Sequence, residues 1–161
     1  MADEQEKIAY LEERISYELV MLNYTFMRLL TSRPSIPEGQ LDFNAYLESF
    51  GVHARNLVAF LSEKSPGGGR NASDYVSGFD APGQARLRRA LLRLEKQILR
   101  VTALRATDPQ EKFTVDNARE LYAWIVPTIL RFQGQLDPSY RAGLNALGPI
   151  GTLASGSGEA D

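Results

Sequence analysis

The chain has 161 residues, 43% of them hydrophobic and 24% charged, with a formal net charge of −2 and a pI near 5.5. That length suits one domain with a real core, and the slightly acidic balance argues against a protein that coats nucleic acid wholesale. Cysteine is absent, which excludes disulfides, thiolate nucleophiles and Cys-based zinc or iron–sulfur sites and fits a reducing compartment. The opening from Met1 to Lys7 is polar and acidic, unlike a signal peptide, and no apolar run approaches the roughly 20 residues that span a bilayer. The expectation is a cytoplasmic protein of bacterial style that makes no membrane contact.

From about Asp3 to Thr31 there is neither Pro nor Gly, and Ile8, Leu11, Ile15, Leu19, Leu22, Phe26 and Leu29 recur at helical spacing. Asp3, Glu4 and Glu6 complement the macrodipole of the first turn. The stretch Ser32 to Gly39, with Pro34 and Pro37, ends this helix. Asp42 is the predicted N-cap of a second helix with the stripe Phe43, Tyr46, Leu47, Phe50, Ala54, Leu57 and Leu61. That helix stops before Ser65-Pro66-Gly67-Gly68-Gly69, a glycine-rich linker. Arg70 to Gly78 reads as loop with at most one helical turn. Asp80-Ala81-Pro82 reads as the opening of a third helix, which runs to about Ala106 and carries Leu87, Leu91, Leu94, Ile98 and Val101. Thr107-Asp108-Pro109 closes it.

Thr114 or Asp116 caps the fourth helix, which bears Leu121, Tyr122, Trp124, Ile125, Ile129, Leu130 and Phe132, with Pro127 predicted to kink it. Asp137-Pro138 opens a short last helix through about Leu147, and the Gly-, Ser- and Ala-rich tail 148–161 is expected to be disordered. No segment alternates with period two. The fold class that follows is all-α: an up-and-down bundle of four main helices with a short C-terminal helix, one domain over 1–147, and a flexible tail.

Few side chains offer chemistry. Ser49, His53, Asn56 and Phe60 share one face of the second helix, beside its core stripe. His53 is the chain's one histidine and is suited to general acid–base work. The plainer reading is a half-buried ring that hydrogen-bonds a neighbouring helix. On the third helix Arg86, Arg89, Arg93, Lys96 and Arg100 form a basic stripe, with Arg88 nearby and Glu95 offsetting it. The stripe suits a phosphate backbone, an acidic protein partner such as the Glu-rich start of the first helix from the same or another copy, or simply solvent. Arg105 falls back on the apolar side, where it must snorkel or pair. Gly67-Gly68-Gly69-Arg70 lacks the ending and the preceding strand of a phosphate-binding loop. No cofactor and no metal site is expected.

The run Leu47-Glu48-Ser49-Phe50, His53-Ala54-Arg55-Asn56-Leu57 and Phe60-Leu61 resembles a signature, ESFxxHARNLxxFL, of a group of bacterial helical-bundle proteins. Tyr17-Glu18-Leu19 with Met21-Leu22, Ser73-Asp74-Tyr75-Val76 through Phe79, and Lys96-Gln97-Ile98 through Thr102 and Arg105 are similar to further segments of that group. Arg100 stands where that pattern has a histidine. More loosely the chain resembles the HEPN superfamily, whose ribonucleases carry an Arg a few residues before a His. Here the nearest Arg before His53 is Arg33, so that motif is missing. A catalytic role on this resemblance falls to His53, Arg55 and Asn56 in an unusual order, to be completed across a dimer.

Two functions compete. The first is a non-enzymatic interaction or regulatory bundle, self-associating or a subunit of a larger complex. The alternative is a HEPN-like RNase or nucleotide-binding protein of a bacterial defence or toxin–antitoxin system. Nucleic-acid binding through the third helix, without chemistry, is a further reading.

Overall fold

The computed structural model describes residues 2–32, 34–35, 37–62, 69–99 and 112–147. All regular structure in them is helical. The first apolar-periodic segment is one rod built from three pieces: α1 (Ala2–Ala9), a π-helical turn (Tyr10–Ile15) and α2 (Ser16–Thr31). The N–H of Ser16 reaches back five residues to the carbonyl of Leu11, the wider π spacing. The Ser16 hydroxyl donates both to that carbonyl, at 3.0 Å, and to the carbonyl of Gly143, at 3.1 Å. Of the predicted stripe, Leu11, Ile15, Leu19, Leu22, Phe26 and Leu29 lie in the core and Ile8 is half-buried.

The second helix, α3, spans Pro37–Ser62. Its start corrects the expected cap at Asp42, which lies inside the helix. Proline at the first helical position needs no N–H and has φ preset, so Pro37 begins the helix and a further turn forms before Asp42. Leu47, Phe50, Ala54, Leu57 and Leu61 are buried, with Phe43 and Tyr46 partly so. Contacts between the first rod and α3 run in opposite directions along the two elements. Tyr10 meets Phe60, Glu18 meets His53, Phe26 meets Phe50, and Tyr24 and Arg28 both meet Tyr46. The pair is therefore antiparallel.

The loop after α3 contains the expected single turn, a 3₁₀ turn at Ala72–Asp74. Asn71 caps it reciprocally with Asp74. The third apolar segment opens later than predicted. Asp80 is no N-cap; Gly83, at φ +75°, precedes a 3₁₀ turn, Gln84–Leu87, and only then does α4 (Arg88–Leu94) begin. The left-handed backbone that glycine permits turns the chain there and brings the Pro82 carbonyl within 2.8 Å of the Trp124 indole N–H. After α4 a π-helical segment covers Glu95–Leu99. The expected run to Ala106, its closure at Thr107-Asp108-Pro109, and Arg100 and Arg105 lie outside the described residues. So does the predicted tail. Ser62 to Gln84 at one end and Gly51 to Leu94 at the other place α4 antiparallel to α3. Gly51 is what lets these helices approach. A Cβ on it would sit 2.3 Å from a methyl of the fully buried Leu94.

Helix α5 (Val115–Gln135) is capped by Thr114 and Asn117 in a reciprocal box, and Asp116 sits in its first turn. It runs unbroken through Pro127, next to which the Thr128 hydroxyl donates to the Trp124 carbonyl at 2.6 Å, a side-chain back-bond one turn up the helix. Leu121, Trp124, Ile125, Ile129 and Phe132 are buried, whereas Leu130 is exposed. Asp137 caps α6 (Pro138–Arg141), which a 3₁₀ segment, Ala142–Leu147, continues. The result is the up-and-down all-α bundle that periodicity predicts, with the short C-terminal helix in its place.

Candidate functional site

The strongest polar constellation joins α2 and α3. The Nδ1 of His53 lies 2.6 Å from Oε2 of Glu18, and Asn56 Nδ2 donates to Oε1 of the same carboxylate at 3.0 Å. The side chains of His53 and Glu18 are 10% and 19% exposed, so this is a nearly dry contact at the rim of the core. Asn56 follows His53 by three residues, nearly a full helical turn, which brings both onto one carboxylate. Tyr17 closes the near side, its ring meeting the imidazole edge-on with centroids 5.7 Å apart.

One carboxylate thus fixes the ring orientation of His53 and directs Nδ1–H inward. Among the described residues no buried side-chain nitrogen or oxygen lacks a partner. His53 makes one hydrogen bond, through Nδ1, so Nε2 retains contact with solvent. A carboxylate-oriented imidazole with a free outer nitrogen is chemically a general base or acid. No three metal-ligating side chains converge among the described residues.

The predicted site residues separate in space. His53 and Asn56 act together; Ser49 is half-buried on the same face and Phe60 is in the core. Arg55 is exposed and makes no hydrogen bond or ion pair among the described residues. Two residues on from His53, it points roughly 200° around the helix and does not converge with the imidazole. Glu18 is the member that residue-type reading missed. Its signal was positional: at about 100° per residue it lies about 20° from Leu29 and about 40° from Leu22. A carboxylate on the edge of a core stripe needs a partner.

The basic stripe runs through three kinds of helical winding. Arg86, Arg89 and Lys96 are exposed. Arg86 lies in the 3₁₀ turn and Lys96 in the π segment, where the winding differs from 100° per residue. Arg93 is half-buried and donates to Asn117 Oδ1 at 3.3 Å, bracing the cap of α5. Arg88 instead lines a groove of about 370 Å³ with Gln84, Ala85, Leu91, Leu92 and Glu95. Among the described residues the acidic start of the first helix is met by Lys7, 3.5 Å from Asp3, and by Arg70, 2.8 Å from Asp3 and 3.2 Å from Glu6. The Arg70 hydrogen bond holds the Asp3 carboxyl below the ordinary carboxylate range.

The second surface of note is apolar. Tyr17, Val20, Tyr24, Met27 and Leu30 are exposed along the outer side of α2, between 40% and 55% each. The first four recur at intervals of three, four and three, the seam spacing of a paired helix. Arg28 lies over the Tyr46 ring at 5.2 Å beside it. No helix among the described residues is long and apolar enough to cross a membrane. Comparison with protein-family models, curated proteins and solved structures yields no match.

Proposed function

We propose that this chain is an interaction module, a helical bundle that docks a protein surface through the outer side of α2. The observation that carries this is the exposed ridge of Tyr17, Val20, Tyr24, Met27 and Leu30. Isolated exposed apolar residues are ordinary, but a contiguous row with two tyrosines and a methionine at helix-pairing spacing is the composition of an interface core. The Glu18–His53–Asn56 cluster supports the same reading as a brace: it locks α2 to α3 directly behind Tyr17 and keeps the ridge rigid. Size-exclusion with light scattering, joined to retention of partners on immobilised protein, tests the proposal. The wild-type chain self-associates or retains a partner, and Tyr24→Glu, at an exposed position, abolishes it while leaving the helical spectrum intact. A folded wild-type monomer that retains nothing overturns it.

A second reading rests on the 2.6 Å Glu18–His53 contact. The solvent-facing Nε2 would act as general base toward a ribose hydroxyl, in the manner of the HEPN-like RNase alternative. Purified protein incubated with total RNA beside a His53→Ala control decides: cleavage lost in the variant supports it, and equal cleavage or none removes it.

A further inference from the structure

We infer that Nε2 of His53 is a phosphoryl acceptor, a nucleophile that takes a phosphoryl group from an N-phosphoryl compound. This stands apart from the interaction reading, and it gives the imidazole a different role from the general base of the second one. The geometry of the α2–α3 contact carries it. A carboxylate can only accept, so Nδ1 bears the proton that Glu18 holds at 2.6 Å. The other nitrogen of the neutral ring then keeps its lone pair, and that nitrogen is the one left to solvent. The carboxylate fixes the tautomer and the ring orientation and raises the basicity of Nε2. Phosphorylation there leaves a positive charge on the ring. Glu18 already stands against it, as the buried carboxylate of a catalytic triad stands against its imidazolium. The Asn56 amide, 3.0 Å from Oε1, keeps that carboxylate from turning away.

The step balances with the donor alone. The Nε2 lone pair attacks phosphorus and forms a P–N bond. The donor's own P–N bond breaks, and its nitrogen, already protonated, leaves as the neutral amine. Because one P–N bond replaces another, the exchange is close to even in energy. Phosphoryl transfer asks for an aligned nucleophile and for counter-charge on the phosphoryl oxygens. The held imidazole meets the first need. Arg14 suits the second: it lies one turn before Glu18, exposed and without a hydrogen bond or ion pair among the described residues. Burial pushes up the Tyr10 hydroxyl, on which Arg14 and Glu18 act in opposite directions, so the two charges border one rim. A guanidinium there can hold two phosphoryl oxygens at once.

The test incubates the folded full chain with potassium phosphoramidate at neutral pH and reads it by intact mass and phosphorus NMR. A single acid-labile phosphoryl group is expected, on Nε2 only, formed faster than on N-acetylhistidine under the same conditions. His53→Gln removes the chain's one histidine but keeps an amide facing Glu18, and it is expected to gain no label. Glu18→Gln is expected to slow labelling by roughly tenfold or more, the worth of one hydrogen bond to a charged group, and to spread the label over both ring nitrogens. Arg14→Gln is expected to slow it without changing the isomer. Circular dichroism checks that each variant is folded, and the wild-type isomer and rate decide even where a variant is not. No label on the wild-type chain, a label on Nδ1, or a rate no greater than that of N-acetylhistidine overturns the assignment. So does a folded Glu18→Gln that labels like wild type. None of these outcomes bears on whether the α2 ridge retains a partner.

Discussion

Trp124→Ala is expected to lower the unfolding free energy by about 3–5 kcal/mol, the range for truncating a buried large aromatic. Trp124 is 2% exposed and sits among Leu121, Ile125 and the other buried residues of α5 and its neighbours. Its indole N–H is also the donor that satisfies the Pro82 carbonyl, at 2.8 Å. Truncation therefore opens a cavity, which dense packing cannot close fully, and leaves a part-buried acceptor without its donor. Because the loop that turns at Gly83 is tied down by this bond, the start of α4 loosens with it. The chain has one tryptophan, so the variant loses the fluorescence probe and urea unfolding should be followed by far-ultraviolet circular dichroism. Trp124→Phe, which keeps most of the volume but not the donor, is expected to fall between wild type and alanine. A loss below about 1 kcal/mol for Trp124→Ala, well under the tabulated range, would mean that the indole is not part of the core.

The second large effect belongs to the α2–α3 brace. Glu18→Ala leaves the nearly buried Nδ1 of His53 without its acceptor and frees Asn56, and a loss of about 1–3 kcal/mol is expected. His53→Ala costs a similar amount, with a further share from the lost edge contact with Tyr17. The double variant is expected to lose less than the two singles together, with a coupling of about 0.5–3 kcal/mol, because once one partner is gone the other has nothing left to lose. Chemical denaturation of all four proteins measures this. Additive losses would mean that the 2.6 Å contact contributes nothing as a pair, and the rigid backing of the ridge would fall with it.

The helices were legible because their cores are periodic. The stripes of α2, α3 and α5 face inward as spacing predicts, Leu130 apart, and of the two caps offered Thr114 is the one that caps α5. Two helix starts were misread for one reason. Asp42 and Asp80 are good capping residues, but a cap is chosen by where the chain can begin to coil. Pro37 allowed an earlier start, and the left-handed turn at Gly83 imposed a later one. The π turns at Tyr10–Ile15 and Glu95–Leu99 each shift the spacing by about one residue, too little to disturb a stripe of leucines. In the candidate site His53 and Asn56 were visible as residue types. Glu18 was not, because an acidic residue on a long helix reads as surface until its angle to the core is measured. The apolar ridge was hidden for the converse reason. Val20 and Met27 fall outside the predicted core stripe, and only the packing shows that no described residue covers them.

The Ser16 hydroxyl bonds a carbonyl 127 positions further along the chain, in the segment after α6. Ile8, Leu11 and Glu12 approach the same Gly143. The first rod is thus completed by the last helical segment among the described residues. A closure across so long a loop contributes nothing until it is made, so this bundle folds more slowly than one whose helices meet only their neighbours. Until then the inner side of α1 and the π turn stay uncovered.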